Sequence, residues 1–196
     1  MALDAVYLLG LVVAEGLRLP RRLTRASSRR SRRRPGGSIA PRELLVMSGV
    51  VIGIWLLPLA YMFTPWLDAF DFAPPPWTAW PASAVFAVSL VVRWAGQSAL
   101  GAAWSPTGEA TDGNALVTSG IYSQIRHPLY ASMLLWGVAQ PFLLPNVLAG
   151  FGGLVAAALI WMVRVPAEER MLLDAFGQEY ADYARATGAL IPQVRR

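Results

Sequence analysis

Runs of about 20 apolar residues, the length a helix needs to cross the hydrocarbon of a bilayer, recur along this chain and leave it few ways to fold. They lie near residues 2 to 19, 43 to 64 and 80 to 103, with two shorter runs at 129 to 144 and 147 to 165. Of the 196 residues, 55% are hydrophobic and only 15% charged, which is more apolar and less charged than a soluble domain. The last two runs are separated by only Pro145 and Asn146. That spacing predicts a tight antiparallel helical hairpin, short enough to stop within the bilayer. The expected fold is an all-α integral membrane protein of about five transmembrane helices, the last two a hairpin, followed by a cytoplasmic amphipathic C-terminal helix. The first run carries Asp4 and Glu15 and lacks a basic start or a small-residue cleavage site, so it is expected to be a retained helix.

Arginine placement sets the orientation. Ten of the 17 basic residues lie between positions 18 and 42, whereas "TPWLDAFDFAPPPWTAW", joining the second and third runs, has none. The positive-inside rule puts the arginine-rich loop 18–42 in the cytoplasm, the N-terminus outside, and both the loop from 104 to 128 and the C-terminus inside. The arginines could also attract anionic headgroups, but a topology signal explains them. Trp66, Trp77 and Trp80 flank the outer ends of runs two and three, as an interfacial aromatic belt does. Gly49 and Gly53 form a G-x-x-x-G spacing suited to close helix packing within the chain.

Composition also excludes chemistry. There is no cysteine, one histidine and no lysine, since all 17 basic residues are Arg. Thiolate nucleophiles, Cys-based metal sites, lysine Schiff bases and P-loops are therefore absent, and no metal is expected. No dinucleotide-binding glycine pattern follows a strand, and a nucleic-acid partner is not expected.

Polar groups set against a membrane are costly and mark functional candidates. Three clusters stand out. Arg93 and Gln97 share one face near the inner end of the third run, where snorkelling of Arg93 to headgroups is the simple expectation. "GNALVTSGIYSQIRHPLY" sets Arg126 and His127 directly before Pro128, a favourable first helical residue whose neighbouring amides point back at the loop. Those amides suit an anionic group; a capping turn with Arg126 facing headgroups would use the same residues. In "WMVRVPAEERMLLDAF", Arg164 and Glu168 lie one turn apart, with Pro166 disturbing the junction between membrane run and amphipathic helix. An ordinary ion pair has this spacing too. Adjacent Glu168 and Glu169 must point in different directions. If the hairpin forms, its two feet bring Arg126 and His127 to the depth of Arg164 and Glu168.

The combination of R-H-P-x-Y, a hairpin, R-x-x-x-E-E and F-G-x-x-Y, from about Leu100 to Pro192, resembles the isoprenylcysteine carboxyl methyltransferase family and its microbial relatives. The resemblance implies a polytopic membrane enzyme that binds S-adenosyl-L-methionine at the cytoplasmic face and methylates a lipophilic acceptor arriving from the bilayer. By position, cofactor contacts fall on Asn114, Ala115, Leu116, Val117 and Tyr122, on His127, Pro128, Leu129 and Tyr130, and on Glu168, while Arg164 faces the acceptor. Arg126, Glu169, Arg93 and Gln97 are possible supporting residues. The family often has His where Asn114 stands and Gly where Ser132 stands. Residues 1–103 would then supply three helices and the arginine loop, and residues 104–196 the cofactor loop, hairpin and C-terminal helix, as one integrated domain.

The chemistry can be checked against the residues themselves. The cofactor carries a sulfonium, an ammonium and a carboxylate, which Glu168, His127 and loop amides can meet, and Tyr122 and Tyr130 can stack on adenine or face the cation. A carboxylate acceptor is already ionised at neutral pH and needs no base; Arg164 would orient it. An amine acceptor such as a phospholipid headgroup would need one, with Glu169 or His127 the candidates. A non-enzymatic lipid-surface anchor built on the arginine loop and an NADPH-dependent sterol-reductase-like enzyme are the remaining readings. The cysteine-free, arginine-only composition points to a bacterial inner membrane, with membrane lipids and a lipophilic or lipidated acceptor as partners.

Overall fold

The computed structural model describes residues 2–17, 41–100 and 116–193. Most of the arginine-rich loop, Asn114 and Ala115 lie outside the described residues. Among those described the chain is helical, with no strand beyond two isolated backbone bridges. The helices are α1 (Ala2–Gly16), α2 (Pro41–Phe63), α3 (Ala79–Leu100), α4 (Pro128–Leu143), α5 (Val147–Phe176) and α6 (Gln178–Ala186). Helix α2, α3 with its lead-in from Pro76, and α5 are long and apolar enough to cross a membrane. Helices α1 and α4, of 15 and 16 residues, span about 23 Å at helical rise, short of the ~30 Å hydrocarbon core.

The short Leu144–Asn146 connection turns the chain back so that α4 and α5 pack side by side. At one end of the bundle Asn146 joins the α4–α5 turn to the α2–α3 connection, its Nδ2 donating to the Leu67 carbonyl at 2.7 Å and to Asp71 Oδ1 at 2.8 Å. Its Oδ1 accepts from the amides of Leu148 and Ala149 and so caps α5. The expected hairpin is therefore present, and one fully buried side chain closes it. Trp66, Trp77 and Trp80, exposed at 78%, 69% and 82%, surround this end.

Two prolines shape the bundle through wide, π-type turns. Helix α2 widens over Ile52–Leu56 and α5 over Ile160–Arg164, and in each case a proline follows two residues later, Pro58 and Pro166. Proline has no N–H for the carbonyl four residues back, and its ring crowds that carbonyl. The wide turn relieves both problems. The Leu57 and Val165 amides reach back five residues to Ile52 and Ile160. In α2 this leaves the Gly53 and Ile54 carbonyls to find donors where no water is available. Gln140 Nε2 donates to Gly53 at 2.9 Å, and the Tyr7 hydroxyl donates to Ile54 at 2.9 Å. Tyr7 in turn accepts from Trp136 Nε1 and packs with Phe86 and Trp136 at the centre of the core, the latter two rings meeting edge-to-face at 4.5 Å.

In α5 the structure refines one expectation. Pro166 does disturb the junction between the apolar part of α5 and the amphipathic part, Val165–Phe176, but by widening the helix and not by ending it; the break comes at Gly177, whose φ of 54° suits glycine. The backbones of α2 and α5 touch where Gly53 faces Gly152, and a Cβ on Gly152 would lie 2.8 Å from the Gly53 Cα and O. Gly49 meets only the Leu159 side chain. The G-x-x-x-G spacing thus serves packing inside the chain.

Gly53→Val would force two backbones apart with no flexible atom to yield. A loss of about 3 kcal/mol or outright misfolding is expected. Gly16→Ala, where nothing lies within 4 Å of the added carbon, should be nearly neutral. Thermal unfolding of the two variants in detergent checks the difference.

Candidate functional site

At the end of the bundle opposite Asn146, the start of α4 and the far end of α5 come together. Gly120, at φ 62°, turns the chain into a short 3-10 helix, Gly120–Ser123, that buries Tyr122. The chain then runs beside the C-terminal segment: the Arg126 amide donates to the Gly188 carbonyl at 2.8 Å and the His127 amide to that of Ala189 at 3.0 Å. His127 is the N-cap of α4, its carbonyl accepting from the amides of Tyr130 and Ala131. Pro128 follows as the first helical residue, where the missing N–H costs nothing.

Two hydrogen-bonded chains form here. In the first, the Tyr130 hydroxyl donates to Glu168 Oε2 and accepts from Arg164 Nε at 2.9 Å, while Arg164 Nη1 donates to Glu43 Oε1 at 3.1 Å. Tyr130 thus bridges the two α5 residues that the sequence sets one turn apart. In the second, Glu169 Oε1 accepts from Arg126 Nε at 3.0 Å and lies 2.8 Å from His127 Nε2. Arg126 also donates through Nη1 to the carbonyls of Ala184 and Thr187. The chains touch where the His127 and Tyr130 rings stack, 5.5 Å apart and 23° from parallel. Glu168 and Glu169 do point apart, each to its own chain.

The wide turn in α5 places these residues. An extra residue in one turn rotates everything beyond it by about 100°, so Ile160–Arg164 sets which way Glu168 and Glu169 face. Arg126 does not reach outward to headgroups; its side chain is 13% exposed and fixed between α5 and the C-terminal segment. His127 is 2% exposed at its side chain. Tyr183 donates to the Tyr122 carbonyl at 2.7 Å, and burial pushes its own phenol up to about 12. Burial and then the Glu168 carboxylate push Tyr122 higher still, so both phenols are neutral at physiological pH.

The other predicted residues are placed differently. The side chains of Pro128 and Leu129 lie against α3 at Gly96. Leu116 and Val117, partly exposed, lead into the Gly120 turn. Arg93 and Gln97 lie one turn apart on α3. Arg93 is 9% exposed and lines a cavity with Glu15, Val50, Ile54, Met133 and Trp136. It is therefore buried in the bundle and does not snorkel outward. Gln97 is 1% exposed. Glu43, in the first turn of α2, belongs to the site and escaped the sequence reading, because nothing local connects an acid after the arginine run with Arg164.

Residues 82–174 match the model of the isoprenylcysteine carboxyl methyltransferase (ICMT) family, so the resemblance carried by the motifs holds over that stretch. A protein-S-isoprenylcysteine O-methyltransferase of Tribolium castaneum is 36% identical over 86 residues, covering 44% of this chain and 31% of the relative. The B form from Arabidopsis thaliana is 34% identical over 79 residues, 40% of each protein. Among solved structures, a eukaryotic intramembrane Ras methyltransferase, ICMT, superposes with a TM-score of 0.53 at 26% identity, over 80% of this chain and 54% of the other. The chain spans less than half the length of those curated relatives and about half of that structure.

Glu169→Ala would leave the Arg126 guanidinium and His127 without their shared acceptor and loosen the 184–189 segment from α4. A loss of about 1–3 kcal/mol is expected, with faster proteolysis near Thr187. Glu179→Ala, on α6 outside both chains, is the control for melting and limited digestion.

Proposed function

We propose that this protein is an S-adenosyl-L-methionine-dependent integral membrane methyltransferase that esterifies the carboxylate of a lipophilic, isoprenoid-like acceptor. The observation that carries the reading is the Arg164–Tyr130–Glu168 chain, a cation and an anion held side by side beneath apolar helices. The matched relatives, named as isoprenylcysteine O-methyltransferases, support it.

The donor set fits the cofactor. Glu168 offers a carboxylate to an ammonium group, the stacked His127 and Tyr130 rings offer π faces to adenine or a sulfonium, and the Gly120 turn brings main-chain groups close to Tyr122. Leu116, Val117, Pro128 and Leu129, with Asn114 and Ala115, complete the proposed contacts. When bound, S-adenosyl-L-methionine supplies an electrophilic methyl group.

The protein's own part is placement. Arg164 holds the acceptor carboxylate as a charge-assisted pair. Tyr130 fixes the guanidinium by bonding to its Nε, and Glu168 fixes Tyr130. No base is required, because the acceptor is ionised before it arrives; orientation and exclusion of water carry the catalysis. The cavity one turn beyond Tyr130, at Met133, offers the apolar side chains of Val50, Ile54 and Trp136 to the acceptor's chain on one side, with Arg93 and Glu15 also in its lining. Amine methylation is less well served. Of its candidate bases, Glu169 already takes two donors on one oxygen, and His127 Nε2 is committed to Glu169.

The site lies at the end of the bundle where α1 stops and α2 begins, the two helix ends that the arginine-rich stretch 18–42 links in sequence. This supports a cytoplasmic active site with the N-terminus outside, in a bacterial inner membrane.

Labelled methyl groups transferred from the cofactor into a lipid extract should be released as methanol by base, as esters are and methylated amines are not. Arg164→Ala should lower kcat/KM by about 100-fold or more. S-adenosylhomocysteine should still bind that variant in calorimetry. Base-stable label, or full activity without Arg164, would refute the carboxylate reading.

A further inference from the structure

Glu43 stands at the centre of the site yet comes from the half of the chain that the family match at 82–174 does not reach. Its Oε1 lies 3.1 Å from Arg164 Nη1, while Tyr130 holds Nε of the same guanidinium. A guanidinium can grip a carboxylate through two in-plane forks. Tyr130 takes the single Nε hydrogen and Glu43 lies on Nη1, so a carboxylate gripping one fork meets Tyr130 and one gripping the other comes up beside Glu43.

The two partners differ in how readily they yield. Tyr130 is fixed from several sides, by its bond to Glu168, its stack on His127 and its place on α4. Glu43 lies in the first turn of α2, two residues from Pro41, and its side chain is 34% exposed against 17% for Arg164. First turns open at low cost, and an exposed carboxylate regains water when it leaves. Charge points the same way. A second carboxylate brought to Arg164 would face Glu43 as a like charge at close range, and the repulsion is relieved when Glu43 swings out.

Resting on the carboxylate reading above, we infer that Glu43 is a specificity-determining residue that the acceptor's carboxylate replaces on Arg164, so acceptor binding is an exchange of one carboxylate for another. Until displaced, Glu43 balances the charge of Arg164 and holds the guanidinium in place. The exchange selects for ionised acceptors, because a neutral headgroup cannot compensate Arg164 for the loss of Glu43. It also couples acceptor binding to the start of α2, directly after the arginine-rich segment.

The test measures binding, without turnover, of a short isoprenoid carboxylic acid and of the isoprenoid alcohol with the same chain to detergent-purified protein. Glu43→Gln removes the competing charge and keeps the shape. It should tighten the acid by about fivefold and leave the alcohol within about twofold, and Glu43→Ala should do the same if α2 remains folded. Unchanged affinity for S-adenosylhomocysteine shows that the site is intact. Acid binding that is unchanged or weaker in both variants, while the wild type binds acid and homocysteine compound normally, overturns the exchange and leaves the methyltransferase reading standing. A wild type that binds neither overturns both.

Discussion

Every polar group buried between these helices has to be answered from within the chain, and that requirement organises the molecule. Pro58 and Pro166 withdraw backbone donors from apolar helices, and the wide turns before them redistribute what remains. In α2 the freed carbonyls draw Gln140 and Tyr7 into the core, tying α1, α2 and α4 together at fixed depth. In α5 the same device turns Arg164, Glu168 and Glu169 toward the foot of α4. Structural and functional polar groups therefore share one origin, a proline placed where lipid permits no water to compensate.

The site is built from opposite charges arranged in series. Arg164 lies between Glu43 and a tyrosine bound to Glu168, and Glu169 lies between Arg126 and His127. Arg164 and Arg126 each have a carboxylate partner and at least one further hydrogen bond, the condition under which partly buried charge is tolerated. The second chain also clasps the C-terminal segment through the backbone of residues 188 and 189. It ties α4 and α5 to the C-terminal segment, whereas the Arg164 chain ties them to the start of α2.

Much of this was legible in the sequence. Hydropathy located the helices, Pro145 and Asn146 disclosed the hairpin, and the hairpin implied that His127 and Arg164 would meet at its feet. The proline positions are visible too, and so is a disturbance at Pro166; that it takes the form of a wide turn within a continuous helix is not. Arg93 was misplaced because a cation near a helix end ordinarily reaches for headgroups, and only the packing of α1 and α2 around it shows that it is enclosed. For Tyr130 the sequence suggests a ring that stacks on adenine or faces a cation. Its hydroxyl, which joins cation to anion, depends on distances that periodicity does not contain. Glu43 lay furthest from reach, since its partner is 121 positions away.

The backbone contact between Gly53 and Gly152 closes the seam between α2 and α5 more tightly than side-chain packing can. A hydrocarbon tail has no width to slip through there. Elsewhere along the pair the contact runs through side chains, as where Leu159 meets Gly49, so the two glycines fix the spacing of α2 and α5.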